Sequence, residues 1–201
     1  MVDIVSALAG GLKPGRHGIE RKGHGVTFRE VAGRDLVQVG WWADTGPAVR
    51  ALLAKELGLI VGDAKSRVSE SGQTTLFPVA PDKVWVAAPY AANLYAKLSA
   101  ALPIDQAVVT ELGHSRTVIR LGGPSARDVL SRNFAIDLDP SVFGPGSFAS
   151  SSLAHVGAML HYVRDLGGAP VFDVYLLRTF AASLFEALCE NAEGFGYMIE
   201  P

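Results

Sequence analysis

The sequence predicts an α+β protein made of two similar β-β-α-β-β-α halves, and three observations carry that prediction. First, a strand that turns through glycine and proline into a helix occurs twice. Leu36-Val37-Gln38-Val39 leads to Gly46-Pro47-Ala48-Val49-Arg50-Ala51-Leu52-Leu53, and Val118-Ile119-Arg120-Leu121 leads to Gly123-Pro124-Ser125-Ala126-Arg127-Asp128-Val129-Leu130; Gly, Pro, Arg and the final Leu coincide at an offset of 77. Second, an offset of 90 lays Val84-Trp85-Val86 on Val174-Tyr175-Leu176 and residues 90–95 on 180–185 without a gap. Third, apolar alternation at 26–41 and 74–87 reads as two hairpins, which break the strict strand and helix alternation of a doubly wound α/β sheet. Each half is then a circular variant of the split βαβ unit, with helices on one face of a largely antiparallel sheet. The offsets differ by 13 residues, an insertion expected around 137–152, where Pro140, Gly144, Pro145 and Gly146 precede a run of serines.

In chain order, residues 1–25 are glycine-rich and aperiodic, which predicts a disordered tail or an extended arm ordered by a partner. The first half then covers 26–104 and the second 105–201. Strands at 26–31 and 35–41 read as a hairpin around Ala32-Gly33-Arg34, and a helix from Pro47 to Leu57 ends at Gly58. Residues 63–73 are polar and read as a loop. A second hairpin joins 74–79 to 83–87, with Pro78 at an edge or strand end because it donates no ladder hydrogen bond. The helix over 90–101 places Ala91, Leu94, Tyr95, Leu98 and Leu102 on one face and stops at Pro103. Strands at 107–110 and 116–121, a helix over 124–132, a strand at 172–176 and a helix over 179–191 capped by Thr179 complete the second half.

Charge excludes some partners and suggests others. With 18 Lys and Arg against 20 Asp and Glu the net charge is -2, which disfavours nucleic acid and an anionic membrane surface. No apolar run approaches the ~20 residues that span a bilayer, and the acidic start Met1-Val2-Asp3 is unlike a signal peptide, so a cytoplasmic protein is expected. The single cysteine, Cys189, agrees with a reducing compartment. Charged residues make up 19% of the chain, where about 25% is usual, which points to surface covered by another protein.

The residues that carry chemistry form no recognisable constellation. The stretch 118–130 lacks G-x-G-x-x-G and G-K-[ST], and Pro124 removes an N–H that a phosphate cradle would use. His155 and His161 are read on one extended segment, 153–163, about 20 Å apart and too distant to share a metal. His17 and His24 lie in the arm, His114 in a turn, and Cys189 on or beside the apolar face of the last helix. Trp41 and Trp42 are adjacent on a strand, so if one enters the core the other is exposed or covered by a partner. A folate site would need a carboxylate to hold the pterin, and Glu30 and Asp173 are candidates only in that both are read on strands. No catalytic, cofactor-binding or metal-binding set is assigned.

Arg116 to Leu121, Gly123-Pro124 with Ala126 to Leu130, Asp137-Leu138, Phe143 with Pro145-Gly146, Leu153 to Val156, and Phe180 to Leu184 form a pattern by which the second half resembles the gamma subunit of heterotetrameric sarcosine oxidase. Ser115, where glycine is usual, and His161-Tyr162, where tryptophan is expected, depart from the family pattern. The resemblance implies an accessory, non-catalytic subunit and a fold like the folate-binding domain of the glycine-cleavage aminomethyltransferase. It implies alpha, beta and delta subunits as partners, with FAD, FMN, NAD and tetrahydrofolate held by partner subunits and none in this chain. The complex would demethylate sarcosine oxidatively to glycine, pass the one-carbon unit to tetrahydrofolate and release hydrogen peroxide. The small subunit of an N-methylglutamate dehydrogenase, and a free-standing folate-binding protein of the same fold, are the alternatives. The arm at 1–25 and the insertion at 137–152 are expected to supply much of the interface, since the repeat does not need them.

Overall fold

The computed structural model describes residues 5–11, 13–19, 22, 25–62 and 66–201. In chain order the strands are β1 (Gly15–His17), β2 (Val26–Glu30), β3 (Arg34–Trp41), β4 (Ser69–Ser71), β5 (Thr74–Ala80), β6 (Lys83–Pro89), β7 (Ala107–Glu111), β8 (Arg116–Gly122), β9 (Phe148–Leu153), β10 (Val156–Leu166), β11 (Ala169–Leu177) and β12 (Tyr197–Ile199). The helices are α1 (Gly46–Leu57), α2 (Leu94–Ala101), α3 (Ala126–Ser131) and α4 (Ala181–Ala192). The fold is mixed α+β with two sheets. Its contacts divide the chain into residues 33–114 and residues 1–32 with 115–201.

The unit 33–114 holds a sheet ordered β4-β5-β6-β3-β7. Val37, Val39, Leu76, Val84 and Val86 face Val49 and Leu53 of α1 and Leu94 and Leu98 of α2, all buried in one cluster. Burying one such side chain contributes about 1.5–3 kcal/mol. Proline in the first turn of α1 loses no hydrogen bond, and the helix stops at Gly58, whose left-handed φ of 64° lets its N–H return to the Ala54 carbonyl. Asp35 on β3 accepts from the Leu94 N–H at 2.9 Å and so caps α2 from a neighbouring strand. The expected helix over 90–101 is broken by Asn93, at φ 46°, into a short 3₁₀ turn and α2. That break rotates Ala91 and Tyr95 to solvent, where the periodicity had placed them inside. The hairpin β5–β6 forms as expected, with Pro78 at an irregularity in its register. The expected loop contains β4, which pairs with β5 through Gly72-Gln73; residues 63–65 lie outside the described residues.

The other unit holds a sheet ordered β1-β12-β2-β8-β11-β10-β9. Phe28, Ile119, Leu121, Leu160, Phe172 and Val174 pack with Val129 and Leu130 of α3 and Leu184 and Leu188 of α4. The helix expected over 124–132 is shorter, and Thr179 falls in a 3₁₀ turn before α4 and makes no capping hydrogen bond.

Two expectations change here. The strands at 26–31 and 35–41 exist but form no hairpin: β2 pairs with β8 and β12, whereas β3 pairs with β6 and β7. Alternation identifies a strand without naming its neighbour, and Gly33, at φ 69°, turns the chain out of one sheet and into the other. A division at residue 105 therefore differs from the spatial one, since β2 belongs with the later strands and β7 with the earlier ones. The glycine-rich arm is also anchored by its own chain. Leu8 is 1% exposed in the core, β1 pairs with β12, and Ile19 N–H donates to the Glu193 carbonyl.

Candidate functional site

A cleft of about 710 Å³ opens in the unit 1–32 with 115–201, between the arm and the start of α3. Arg16 and Lys22 supply its basic side chains, and His17, Phe195, Tyr197 and Met198 its wall. Its walls are fixed by internal contacts. The His17 ring stacks on Tyr197 at 5.1 Å and 17°, with Nε2 2.8 Å from the Lys13 carbonyl, and Tyr197 meets Phe28 edge-on. Val26 N–H donates to the Gly196 carbonyl, and Gly123, at φ 126°, lies so near the arm that a Cβ would come within 2.5 Å of the Gly25 carbonyl.

The turn at Gly123-Pro124 is no phosphate cradle. The N–H of Gly123 donates to Pro170, that of Ser125 to Gly25 and that of Ala126 to Gly123, so the donors a phosphate would need are engaged within the chain. The repeated glycine also serves two purposes. Gly46 is the first residue of α1 and a Cβ there would press on the Trp41 ring at 3.0 Å, whereas Gly123 precedes α3 by three residues and clears Gly25.

Both carboxylates suggested for a pterin are built into the fold. Asp173 on β11 faces Arg120 on β8 across the ladder and accepts two hydrogen bonds, from Nε at 2.6 Å and Nη2 at 2.7 Å. Asp173 is 1% exposed, and its hydrogen bonds hold the Arg120 guanidinium above its ordinary pKa. Glu30 accepts from the Thr117 hydroxyl at 2.7 Å and the Ala7 N–H at 3.0 Å, and also from Ser6 Oγ, which ties the start of the described chain to β2 and β8.

The remaining candidates are dispersed. His161 is buried on β10. His155 is not on an extended segment with it: Ala154 and His155, at φ 45° and 69°, form the two-residue turn between β9 and β10. His114 is exposed, 3.8 Å from Glu111, and His24 lies outside the described residues. Cys189 is half-buried beside the core, and burial pushes its thiol up to about 11, which opposes a thiolate at neutral pH. Trp41 is buried beneath the Arg50 guanidinium, while Trp42 is 51% exposed with its Nε1–H on the Asp105 carbonyl. Arg127 lies 4.8 Å over the Tyr162 ring and donates to the Leu138 and Phe143 carbonyls, pinning the insertion, whose Leu138 and Phe143 are buried. Sequence reasoning missed the cleft because Arg16 and Phe195 are far apart in the chain and no spacing links them. Among the described residues no cluster of His, Cys, Asp and Glu is arranged for a metal, and no helix is long and apolar enough to cross a membrane.

Against known proteins, residues 42–193 match the sarcosine oxidase, gamma subunit family. The sarcosine oxidase subunit gamma of Arthrobacter sp. is 31% identical over 183 residues, 89% of this chain and 90% of that one. The subunit gamma of Corynebacterium sp. (strain P-1) is 32% identical over 141 residues, covering 67% of this chain and 66% of its own. Among solved structures, a chain of the heterotetrameric sarcosine oxidase from Corynebacterium sp. U-96, in complex with pyrrole 2-carboxylate, is similar with a TM-score of 0.74 and 27% identity over 85% of both chains. The glycine cleavage system aminomethyltransferase T from Bartonella henselae has a TM-score of 0.62 at 17% identity, over 88% of this chain and 47% of its own, a likeness of fold.

Proposed function

The chain belongs to the sarcosine oxidase gamma subunit family, and from that premise we propose that it is a non-catalytic subunit of a cytoplasmic complex that oxidatively demethylates sarcosine. The complex passes the one-carbon unit to tetrahydrofolate and releases glycine and hydrogen peroxide. FAD, FMN, NAD and tetrahydrofolate are held by the alpha and beta partners, with a delta subunit completing the heterotetramer. The observation that carries the non-catalytic reading is the use of Asp173 and Glu30: each is consumed by hydrogen bonds within its own unit, where a folate protein would aim one at the ligand. The strand orders β5-β6-β3-β7 and β10-β11-β8-β2 support reading the two units as copies of one duplicated element that exchange their first strands.

The deciding experiment expresses the chain alone and together with the other subunits. Co-elution with a flavoprotein on size exclusion is expected from co-expression. A soluble monomer that retains no flavoprotein overturns the subunit reading. Calorimetric titration of the isolated chain with tetrahydrofolate is expected to give no heat of binding, and micromolar affinity overturns the non-catalytic reading.

A further inference from the structure

We propose that β7 takes up a basic, extended segment of a partner subunit as a further strand at the edge of the sheet in the unit 33–114. The proposal rests on the subunit reading and names the chemistry of what is bound. Among the described residues four strands lie outermost in the two sheets, β1 and β9 in one and β4 and β7 in the other. β1 and β4 have three residues each, and β9 is met by Phe134, which bridges to Leu153, and by the Ala135 carbonyl, which accepts from the Ser151 hydroxyl. β7 has five residues, no proline, no lysine and an unbroken register with β3, so of the devices that block an edge it carries only the charge of Glu111 at its end. Leu112 N–H donates to the Leu36 carbonyl, and bonded pairs alternate along an antiparallel ladder. Val108 and Thr110 therefore turn their N–H and C=O to β3, while those of Val109 and Glu111 point away from it. These outward groups are the ones an added strand bonds.

What adjoins the edge sets the chemistry of the occupant. Trp42 is 51% exposed, Val108 46% and Ile104 89%, and Val108 is paired with Gly40, which has no side chain to cover it. Trp42 is held before anything binds: its Nε1–H donates to the Asp105 carbonyl at 2.9 Å, its backbone N–H donates to the Thr45 hydroxyl, and that hydroxyl lies 2.7 Å from the Gln106 carbonyl. A fixed, half-exposed tryptophan anchors an apolar side chain with little ordering entropy opposing association. The charge beside it is acidic. Asp44 and Asp105 are exposed in the segments that carry Trp42 and Ile104, and Glu111 is exposed at the other end of β7. The basic residues of adjoining elements are placed elsewhere. Arg50 lies over the buried Trp41 and donates to the Pro81 carbonyl, Lys97 of α2 donates to the Glu56 carbonyl, and Lys83 is on β6, beyond β3. Arg34 starts β3 at the Glu111 end, where His114 lies 3.8 Å from Glu111. Lysine or arginine on the incoming segment therefore complements the tryptophan end of β7.

The test compares the free chain with the complex assembled from co-expressed subunits by residue-resolved hydrogen exchange, and measures the affinity of the purified chain for the co-expressed remainder at 50 and 300 mM NaCl. Assembly is expected to slow exchange at the Val109 and Glu111 amides by about tenfold or more, while the Thr110 amide, already bonded to β3, changes less. Wild-type binding is expected to weaken with salt. Trp42→Ala and Asp105→Lys should each weaken it by about tenfold at low salt, and Asp105→Lys should also flatten the salt dependence. Glu186→Lys, the same reversal on an exposed residue of α4, should match the wild type; a loss equal to that of Asp105→Lys would assign the effect to net charge and overturn the basic segment. A urea midpoint for each variant separates misfolding from lost affinity, and the exchange measurement needs no substitution. Unchanged exchange at Val109 and Glu111 in the complex, or wild-type affinity in both Trp42→Ala and Asp105→Lys, overturns the proposal while leaving the subunit reading standing; no binding by the wild type overturns both. A dimer of the isolated chain in sedimentation, with those same amides protected in it, would assign the edge to a second copy and overturn the partner segment.

Discussion

Replacing Asp173 by alanine tests the claim that this carboxylate holds the fold together and binds no ligand. The residue is 1% exposed and gives both oxygens to Arg120, whose side chain is 16% exposed. Removing one partner of a buried, bidentate pair strands the other charge and costs about 3–5 kcal/mol. The partial exposure of Arg120 places the expected loss near the lower end, about 3 kcal/mol, or about 6–12 °C for a chain of this size. Arg120→Met combined with Asp173→Leu removes the charge along with its partner and should lie within about 1–2 kcal/mol of wild type. Urea unfolding followed by hydrogen exchange at β8 and β11 reads the unit that contains the pair. Tryptophan fluorescence reads the unit 33–114, which holds Trp41, Trp42 and Trp85, and serves as the internal comparison. An alanine variant destabilised by less than about 1 kcal/mol, or a double variant as unstable as the single one, refutes the structural role.

Three further outcomes are expected. Burial raises the Asp35 pKa, assisted by Glu111 and opposed by the Leu94 N–H, so the folded state favours the protonated acid; the group's stabilising contribution is full below the ordinary carboxylate range and is lost as pH rises through the raised value. Asp35→Asn keeps an acceptor for Leu94 without titrating, so the melting temperature of this variant minus that of wild type should grow from pH 4 to pH 7, and a falling difference would refute the assignment. Replacing Ala154-His155 by Asn-Gly, the pair suited to a two-residue turn with positive φ at both positions, should raise stability by about 1 kcal/mol in urea unfolding. Gly123→Ala, at φ 126° with its Cβ 2.5 Å from the Gly25 carbonyl, should cost more than about 2 kcal/mol, whereas Gly46→Ala meets only the Trp41 ring at 3.0 Å and should cost about 1 kcal/mol or less; equal melting temperatures for the two would show that both glycines serve one purpose.

What could be read from residue order was local. The alternation of Trp41 and Trp42 foretold one buried and one exposed ring, and proline in the first turn of α1 and glycine after its last marked both of its ends. Pairing was illegible, because period-two patterning at 26–41 says which face is apolar and nothing about which strand lies alongside. Short strands hid in unpromising composition. β1 contains a glycine and borders others, β9 carries three serines, and β12 has only three residues after a helix. The turn at Ala154-His155 lacks the Asn-Gly signature, so by sequence pattern it is indistinguishable from continuous strand. The ion pair of Arg120 and Asp173 joins residues 53 apart, and the cleft joins Arg16 to Met198; both exist only after the sheet has formed.

The position of β12 bears on how the chain matures during synthesis. Residues 33–114 form a continuous unit that is complete once residue 114 has emerged from the ribosome. β2 is made early, yet its neighbour β12 comes only at residues 197–199, and among the described residues β1 pairs only with β12. At about 5–20 residues per second, the interval between the two is on the order of ten to thirty seconds. From the emergence of β8 to that of β12 the nascent chain carries a finished unit together with a strand β2 that has one exposed edge, and β1 has yet to meet the strand it pairs with. The ordering of β1 is thereby postponed until residues 197–199 have been made, so an early strand takes its place only from a late one.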